Sequence, residues 1–309
     1  MGPPRGGVRA AGRLMTGPGR VVVVGDVVND VLVRPLGPVT PDSDTRATIV
    51  RRPGGSAANL AAWLGSLGAP VSFVGRVGAG DRDFHAGCFA ALGVEPHLAV
   101  DPERETGTIV VVLDDAGRRT MLVDRAANSA LTAADVPPGL LERAALLHLT
   151  GYSFFEPGVR TAALELMARA RALGVPVSVD PSSVAFLRDV GAEQFLAWTA
   201  GARFCFPNRD EAAELAGTGD PRRAAEALTA HYRTVVVTLD GDGCVVADRG
   251  TDPVAVPVHR LVAVDPTGAG DAFCAGFLDA WCRGSDPIAA AAAGARVARR
   301  AVSRLGGRP

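Results

Sequence analysis

GGSAANLAAWLGSLGAPVSFVGRVG, residues Gly54–Gly78, contains one full unit of the pattern that sets the fold. Small residues open into an Ala/Leu-rich helical stretch near Ala57–Leu67, and the short, mostly apolar run Val71–Val74 follows. A short apolar run without polar alternation reads as a strand buried on both faces. Outward from this unit the chain repeats it. Further buried-strand candidates are Val21–Val24, Leu146–Leu149, Pro176–Val179, Phe204–Phe206 and Val235–Thr238. Helical candidates lie near Phe84–Leu92, Val159–Leu173, Asp210–Leu215 and Arg222–His231, and two helices close the chain near Ala269–Cys282 and Pro287–Leu305. The alternation predicts an α/β domain whose parallel sheet is covered on both faces.

Two stretches break the rhythm, Asp30–Arg52 and Thr106–Asp124. They contain alternating segments (TRATIVRR; TGTIVVVLDDAGRRTMLVD), a hairpin signal at Asp115-Ala116-Gly117, and no helix to cover them. They predict a small β-sheet lid built from about 30–52 and 106–124. Its open face would bury itself on a substrate or on a second copy, giving a homodimer. Residues 20–309 read as the single domain carrying this lid. Residues 1–19 are rich in Gly, Pro and Arg and lack the apolar centre of a signal peptide, so they read as a disordered leader, with Met15 as an alternative start.

The composition excludes several functions. A chain of 309 residues, 48% hydrophobic, can bury a large core. A net charge of −1 lacks the basic excess of a nucleic-acid binder. No apolar run approaches the roughly eighteen residues of a membrane span. Five cysteines without a CxxC pair make neither a disulfide framework nor a zinc site, and suit a reducing cytoplasm. The chain has no lysine, so all 32 basic residues are arginine. P-loop NTPases and protein kinases both depend on a lysine, and both are excluded. Phosphate chemistry here must rest on backbone amides, arginine and a metal.

The run Asp265-Pro266-Thr267-Gly268-Ala269-Gly270-Asp271, followed by AFCAGFLDAW, places Gly268, Ala269, Gly270 and Asp271 at a helix N-terminus. There free amides and the helix dipole favour an anion, and small residues let a phosphate approach the backbone. Asp271 is then a carboxylate beside that phosphate, suited to take a proton from an attacking hydroxyl. The bland alternative, an ordinary first-turn Asp, accounts for Asp271 but not for the small residues around it. A second run, Pro53-Gly54-Gly55-Ser56-Ala57-Ala58-Asn59, turns backbone amides toward a ligand and offers the Asn59 amide to a hydroxyl. In isolation it reads better as a plain glycine-containing loop with a partly buried helix Asn. The GxGxxG dinucleotide fingerprint is not present after a strand.

Together, from Gly54 through Asn59 to Gly68 and Gly78, and from Asp265 through Asp271 to Gly276, these runs resemble the two signatures of the ribokinase-like, PfkB-type carbohydrate kinases. The resemblance extends from Val21 to the last residue. It implies a three-layer α/β/α Rossmann-like sheet with a β-lid, ATP as donor, Mg2+, and Asp271 as general base. It also implies roles for single positions. Asp30, in GDVVND, matches an aspartate that binds sugar hydroxyls, alongside Gly54, Gly55, Ser56, Asn59 and Thr150. Asn208 and Glu211, in PNRDE, match an N-x-x-E element near the phosphates and Mg2+, although Glu211 also reads as a first-turn helix carboxylate. Thr238, Gly241 and Gly243 (TLDGDG) match the nucleotide-binding turn, with Asp240 where glycine usually stands. Asp265 and Thr267, with carbonyls of Ala301, Arg304 and Gly306, match the potassium site of ribokinase.

Departures fall on the substrate side. Ribokinase carries a lysine at the place of Ser56 and a sugar-binding glutamate at that of Thr150, and the stretch VGAGDRDFH around Asp81 replaces the usual acidic run. The resemblance therefore implies a sugar kinase without naming the sugar. A nucleoside kinase of the same family is the alternative, and the absence of Trp, Tyr or Phe from the lid segments weighs against it. A non-catalytic nucleotide- or sugar-binding sensor is opposed by Asp271, a base that a sensor does not need. Five scattered histidines read as packing or surface residues; Arg119 and Arg125, on the lid or just after it, read as ordinary exposed arginines or as contacts to an acidic sugar.

Overall fold

The apolar runs assemble because each can bury both of its faces. The structure, a computed structural model, describes residues 19–113, 119–258, 261 and 263–309. The leader residues 1–18 and the hairpin signal at Asp115–Gly117 lie outside the described residues. In chain order the strands are β1 (Arg20–Val24), β2 (Val28–Pro35), β3 (Ala47–Gly54), β4 (Val71–Gly78), β5 (Glu95–Asp101), β6 (Gly107–Leu113) and β7 (Arg119–Asp124). They continue as β8 (Ala144–Thr150), β9 (Val177–Asp180), β10 (Phe204–Cys205), β11 (Thr234–Thr238), β12 (Cys244–Asp248) and β13 (Val254–Val256). The helices are α1 (Ser56–Ser66), α2 (Arg82–Ala90), α3 (Tyr152–Phe155), α4 (Pro157–Ala172) and α5 (Val184–Val190). After them come α6 (Ala192–Thr199), α7 (Arg209–Ala216), α8 (Pro221–Leu228), α9 (Ala269–Cys282) and α10 (Pro287–Val302).

The large sheet runs β13-β12-β11-β10-β9-β8-β1-β4-β5, parallel from β11 to β5 and antiparallel at β12 and β13. Its strands feed two cores in strict alternation. Val22 and Val24 face α4 to α8 with Leu166, Phe195 and Leu228, while Val21 and Val23 face α1, α9 and α10 with Leu60, Phe277 and Val297. This two-sided burial is what the continuous apolar runs predict. The antiparallel β12–β13 edge and the half-polar β5 are additions to the strand candidates, although β12 carries the apolar run Cys244–Ala247. The last helix ends at Val302 rather than Leu305, because the chain turns there and Gly306 takes φ +90°.

The second sheet, β3-β2-β6-β7, is the lid. Its two central strands pair in parallel, and β3 and β7 close it on either side in antiparallel fashion. Ile49, Met121 and Leu122 stand more than 60% exposed on those edge strands. The lid is tied to the main domain through Asp81, which accepts from Asn29 Nδ2 of β2 at 2.7 Å and pairs with Arg51 of β3. Asn29 in turn meets buried His85 of α2 at 3.1 Å. The departing stretch VGAGDRDFH thus serves as a lid anchor.

Several arginines at the opposite end of the sheet serve helix C-termini. Arg171 donates to Ala200 O after α6, and Arg249 donates to Thr229 O, Ala230 O and Tyr232 O after α8. Cations there offset the negative ends of the helices. Among the described residues no helix is long and apolar enough to cross a membrane.

Helix α9, which starts at the DPTGAGD run, is held in place by its crossing with α10. A Cβ on Gly276 would come within 2.6 Å of Val297 Cγ2 and 2.9 Å of Gly294 Cα. An Ala at a mid-helix glycine ordinarily stabilises a helix by up to about 1 kcal/mol. At Gly276 overpacking wins, and Gly276→Ala is expected to cost about 1–3 kcal/mol. Urea unfolding of the two proteins checks this, and an unchanged or raised midpoint would show that the crossing has slack.

Candidate active site

The site lies at the carboxyl ends of the parallel strands, where open α/β sheets bind ligands. A cavity of about 240 Å³ is lined by Asp180, the last residue of β9, Thr238, the last of β11, and Asn208 and Glu211 at the start of α7. Ser56 and Tyr152 complete one wall, and Gly268, Ala269, Gly270 and Asp271 form another.

Each piece is placed by local chemistry. Gly268 takes φ +73° as the cap of α9, and a Cβ there would sit 2.6 Å from Gly307 Cα, so only glycine fits. Ala269 N donates to Pro266 O, which leaves the amides of Gly270 and Asp271 without a helical acceptor. A Cβ on Gly270 would meet no protein atom within 4 Å, so its backbone is open to the cavity. Asp271 is held from α1: Ser56 Oγ donates to Oδ1 at 2.7 Å and Asn59 Nδ2 donates to Oδ2 at 3.1 Å. The two signature runs, more than two hundred residues apart in the chain, therefore meet on one carboxylate.

The glycine pair has a further use. Gly55, at φ +97°, lets α1 begin against Asp26, whose carboxylate accepts from Ser56 N at 2.8 Å and Ala57 N at 3.2 Å. A side chain at Gly54 would overlap the carboxylate of Asp30, so the bare backbone makes room for Asp30, which lies beside the glycine loop and outside the cavity lining. Thr150 is buried and donates to Asp26 at 3.3 Å, backing the cavity instead of lining it. Asn208 and Glu211 cap α7 reciprocally at 2.9 Å while facing the cavity. Gly241 and Gly243 lie in the turn between β11 and β12, outside the cavity lining. Asp240 there takes φ +51°, a left-handed conformation that explains why glycine is usual at this place.

The loop before α9 rests on the end of α10. Asp265 Oδ1 accepts from Thr267 N and Oγ1 at 2.9 and 2.6 Å, and Oδ2 accepts from Gly306 N at 2.9 Å. The structure so brings Asp265, Thr267 and Gly306 together, with Ala301 and Arg304 in the adjoining turn, where Arg304 N donates to Ala301 O.

Several residues at the site lack a sequence role, among them Asp26, Tyr152, Asp180 and Arg308. Asp180 and Tyr152 each follow or end a strand at its carboxyl end, a position that does point to the site. Arg308 has no such signal. Its guanidinium donates to Asn59 Oδ1 at 3.1 Å and Gly54 O at 2.9 Å.

Crowded carboxylates shape the electrostatics. Burial pushes Asp271 up to about 7; the Ser56 and Asn59 bonds pull it down, while Asp180 and Asp26 push it further up. Asp30 is pushed up to about 6 by burial, against the attraction of Arg308. Asp180 and Glu211 are both raised by burial, and Asp180 also by its neighbour Glu211. A carboxyl raised in this way binds a proton that the unfolded chain has released, so stability falls as pH rises toward the folded value. Buried His85 and His148, held down to about 4 and about 3, act in the opposite sense, but only below about pH 6.5. Between pH 6.5 and 8 the carboxyls dominate. Thermal unfolding of the ligand-free protein should give a midpoint that drops across this window, and Asp271→Asn should flatten the drop. A midpoint that rises instead would overturn the crowding argument.

A Rossmann-like sheet with a β-lid, an open helix N-terminus, and a carboxylate raised toward neutrality beside it fit a phosphotransferase with an alcohol acceptor. Residues 19–309 match the model of the pfkB family carbohydrate kinases, and the chain belongs to that family. It is an ATP-dependent kinase of small sugars. The chain is 32% identical to a fructokinase of Klebsiella pneumoniae over 84% of its own length and 83% of that protein. Its fold superposes on adenosine kinase from Sinorhizobium meliloti with a TM-score of 0.85 and 25% identity, covering 95% and 96% of the two chains. Ribokinase from Thermotoga maritima, at TM-score 0.79 and 24% identity over 94% of each chain, shares the fold.

Proposed function

We propose that Asp271 is the general base that deprotonates a sugar hydroxyl as it attacks the γ-phosphate of ATP. The supporting observation is the position of its carboxylate: gripped by Ser56 and Asn59, raised to about 7, and one residue beyond the open Gly270 amide. The hydroxyl oxygen forms the new bond to phosphorus, the bond to the ADP oxygen breaks, and the proton passes to Asp271. The amides of Gly270 and Asp271, at the positive end of α9, offset the charge on the transferred phosphoryl group. Asp30, Gly54, Gly55, Ser56 and Asn59 hold the sugar. Asn208, Glu211 and Thr238 face the nucleotide, whose phosphates carry Mg2+. Thr150 acts on the sugar only through Asp26.

Asp271→Asn keeps the shape and removes the base. Its kcat should fall about 10²–10⁴-fold with KM values little changed, and retention of more than about a tenth of the rate would sink the assignment. The likeness to an adenosine kinase supports a second acceptor class, nucleosides. ADP release over a panel of sugars, sugar acids and nucleosides separates the two.

The contact between Asp265, Thr267 and the end of α10 supports a K+ site that would brace the anion-binding turn. Turnover should rise when KCl replaces choline chloride at constant ionic strength under saturating Mg2+. Equal rates would leave Asp265 a purely structural cap. The exposed Ile49, Met121 and Leu122 support a homodimer through the lid, which sedimentation equilibrium would report as twice the chain mass.

A further inference from the structure

Beyond α10 the chain crosses the site as a strap. Arg52 Nη1 donates to Leu305 O at 2.8 Å, Gly306 N donates to Asp265, and Trp63 Nε1 donates to Gly307 O at 2.9 Å. Gly307 lies so close to α1 that a Cβ on it would stand 2.6 Å from Asn59 Nδ2. These contacts deliver Arg308 to the glycine loop. Its Nε donates to Asn59 Oδ1, one terminal nitrogen donates to Gly54 O, and the other is buried without a hydrogen-bond partner. The guanidinium carbon sits 5.0 Å from the centre of the Phe89 ring.

We infer that Arg308 is a positioning residue for phosphoryl transfer, committing the Asn59 amide nitrogen to Asp271 and holding a positive charge behind the base. The inference rests on the reading of Asp271 as that base. The amide of Asn59 has two nearly isosteric orientations, and its neighbours decide between them. A guanidinium only donates, and an ionised carboxylate only accepts. With Arg308 on one side and Asp271 on the other, the oxygen must face Arg308 and the nitrogen Asp271. The reversed amide would set donor against donor and acceptor against acceptor. Without Arg308 the amide is free to turn, and Asp271 keeps only Ser56 as a fixed partner. The charge acts alongside this. Asp26 and Asp180 face Asp271 from the ends of their strands, Tyr152 and Cys274 face it with groups that ionise to anions, and the cations nearby are Arg308 and Arg125, the latter 4.1 Å from the centre of the Tyr152 ring. Burial holds Arg308 down to about 10, so it remains charged at neutral pH, where it also attracts Asp30.

The test uses the full chain with R308M, R308K and D271N in parallel, and the panel's best sugar as acceptor. The readouts are kcat, both KM values, the pH profile from 5.5 to 9, and thermal stability. R308M should lower kcat about tenfold or more, with the KM for ATP nearly unchanged. Its acid limb should move up by about half to one pH unit, a three- to tenfold loss on the limb. R308K should return the limb toward its wild-type place by restoring the charge. It should not restore kcat, since an ammonium cannot reproduce the planar fork to Asn59 and Gly54. R308M with a wild-type profile and only a lower melting temperature would make the strap merely structural and overturn the inference. If R308M does not fold, R308K decides alone, and wild-type kcat in that variant overturns it. An active D271N would instead remove the reading of Asp271, and the inference would fall with it.

Discussion

One carboxylate held between two helix N-termini organises this molecule. Asp271 rides on the first turn of α9 and is gripped by Ser56 and Asn59 on the first two turns of α1. Both helices present positive ends to the same space, so anions are welcome there although the space is already rich in acid. The glycines follow from that geometry. Gly55 and Gly268 hold conformations with positive φ, and Gly54 and Gly276 stand where a side chain would strike a neighbour. The main sheet supplies the fixed ends of β1, β9 and β11 from which Asp26, Asp180 and Thr238 reach the site.

The crowding of carboxylates costs stability in the free protein and is what gives the site its chemistry. A solvated aspartate ionises near pH 4 and is a feeble base. Burial beside Asp26 and Asp180 lifts Asp271 into the range where it can both lose and accept a proton near neutrality. The same repulsion would favour Mg2+ carried by a nucleotide and the donor hydroxyls of a sugar. The lid contributes from the other side. Asp30 sits on its central strand β2 beside the bare Gly54, while Asn29 and Asp81 fasten that strand to α2.

Much of this was legible in the chain itself. The runs Val21–Val24, Val71–Val74 and Val235–Thr238 fall within β1, β4 and β11, since a doubly covered sheet is what a short, largely apolar strand suits. That Gly270 and Asp271 open one helix, and Ser56 and Asn59 lie on the first turns of another, was legible because a helix N-terminus announces itself through small residues. Other positions were less so. Thr150, expected at the sugar, lies behind Asp26 because a short side chain in a buried strand cannot reach past its neighbour. Gly241 and Gly243 shape a turn without lining the cavity. The stretch around Asp81 had no local meaning, since its partners Asn29 and Arg51 come from lid strands some thirty or more residues earlier in the chain.

The sequence by itself determined the central strands, the longer helices, the two signature runs and the chemical class, because helix caps, strand periodicity and glycine requirements are local physics written within a few residues. Only the tertiary structure decided which groups share a dielectric and a hydrogen-bond chain. Arg308 meets Asn59 across 249 residues, and Trp63 meets Gly307 across 244. Asp26, Asp180 and Asp271 come from three separate strand and helix ends, and their mutual repulsion depends on distances of a few ångströms. Coulomb interactions and burial follow separation in space, which the chain's order does not encode until it has folded.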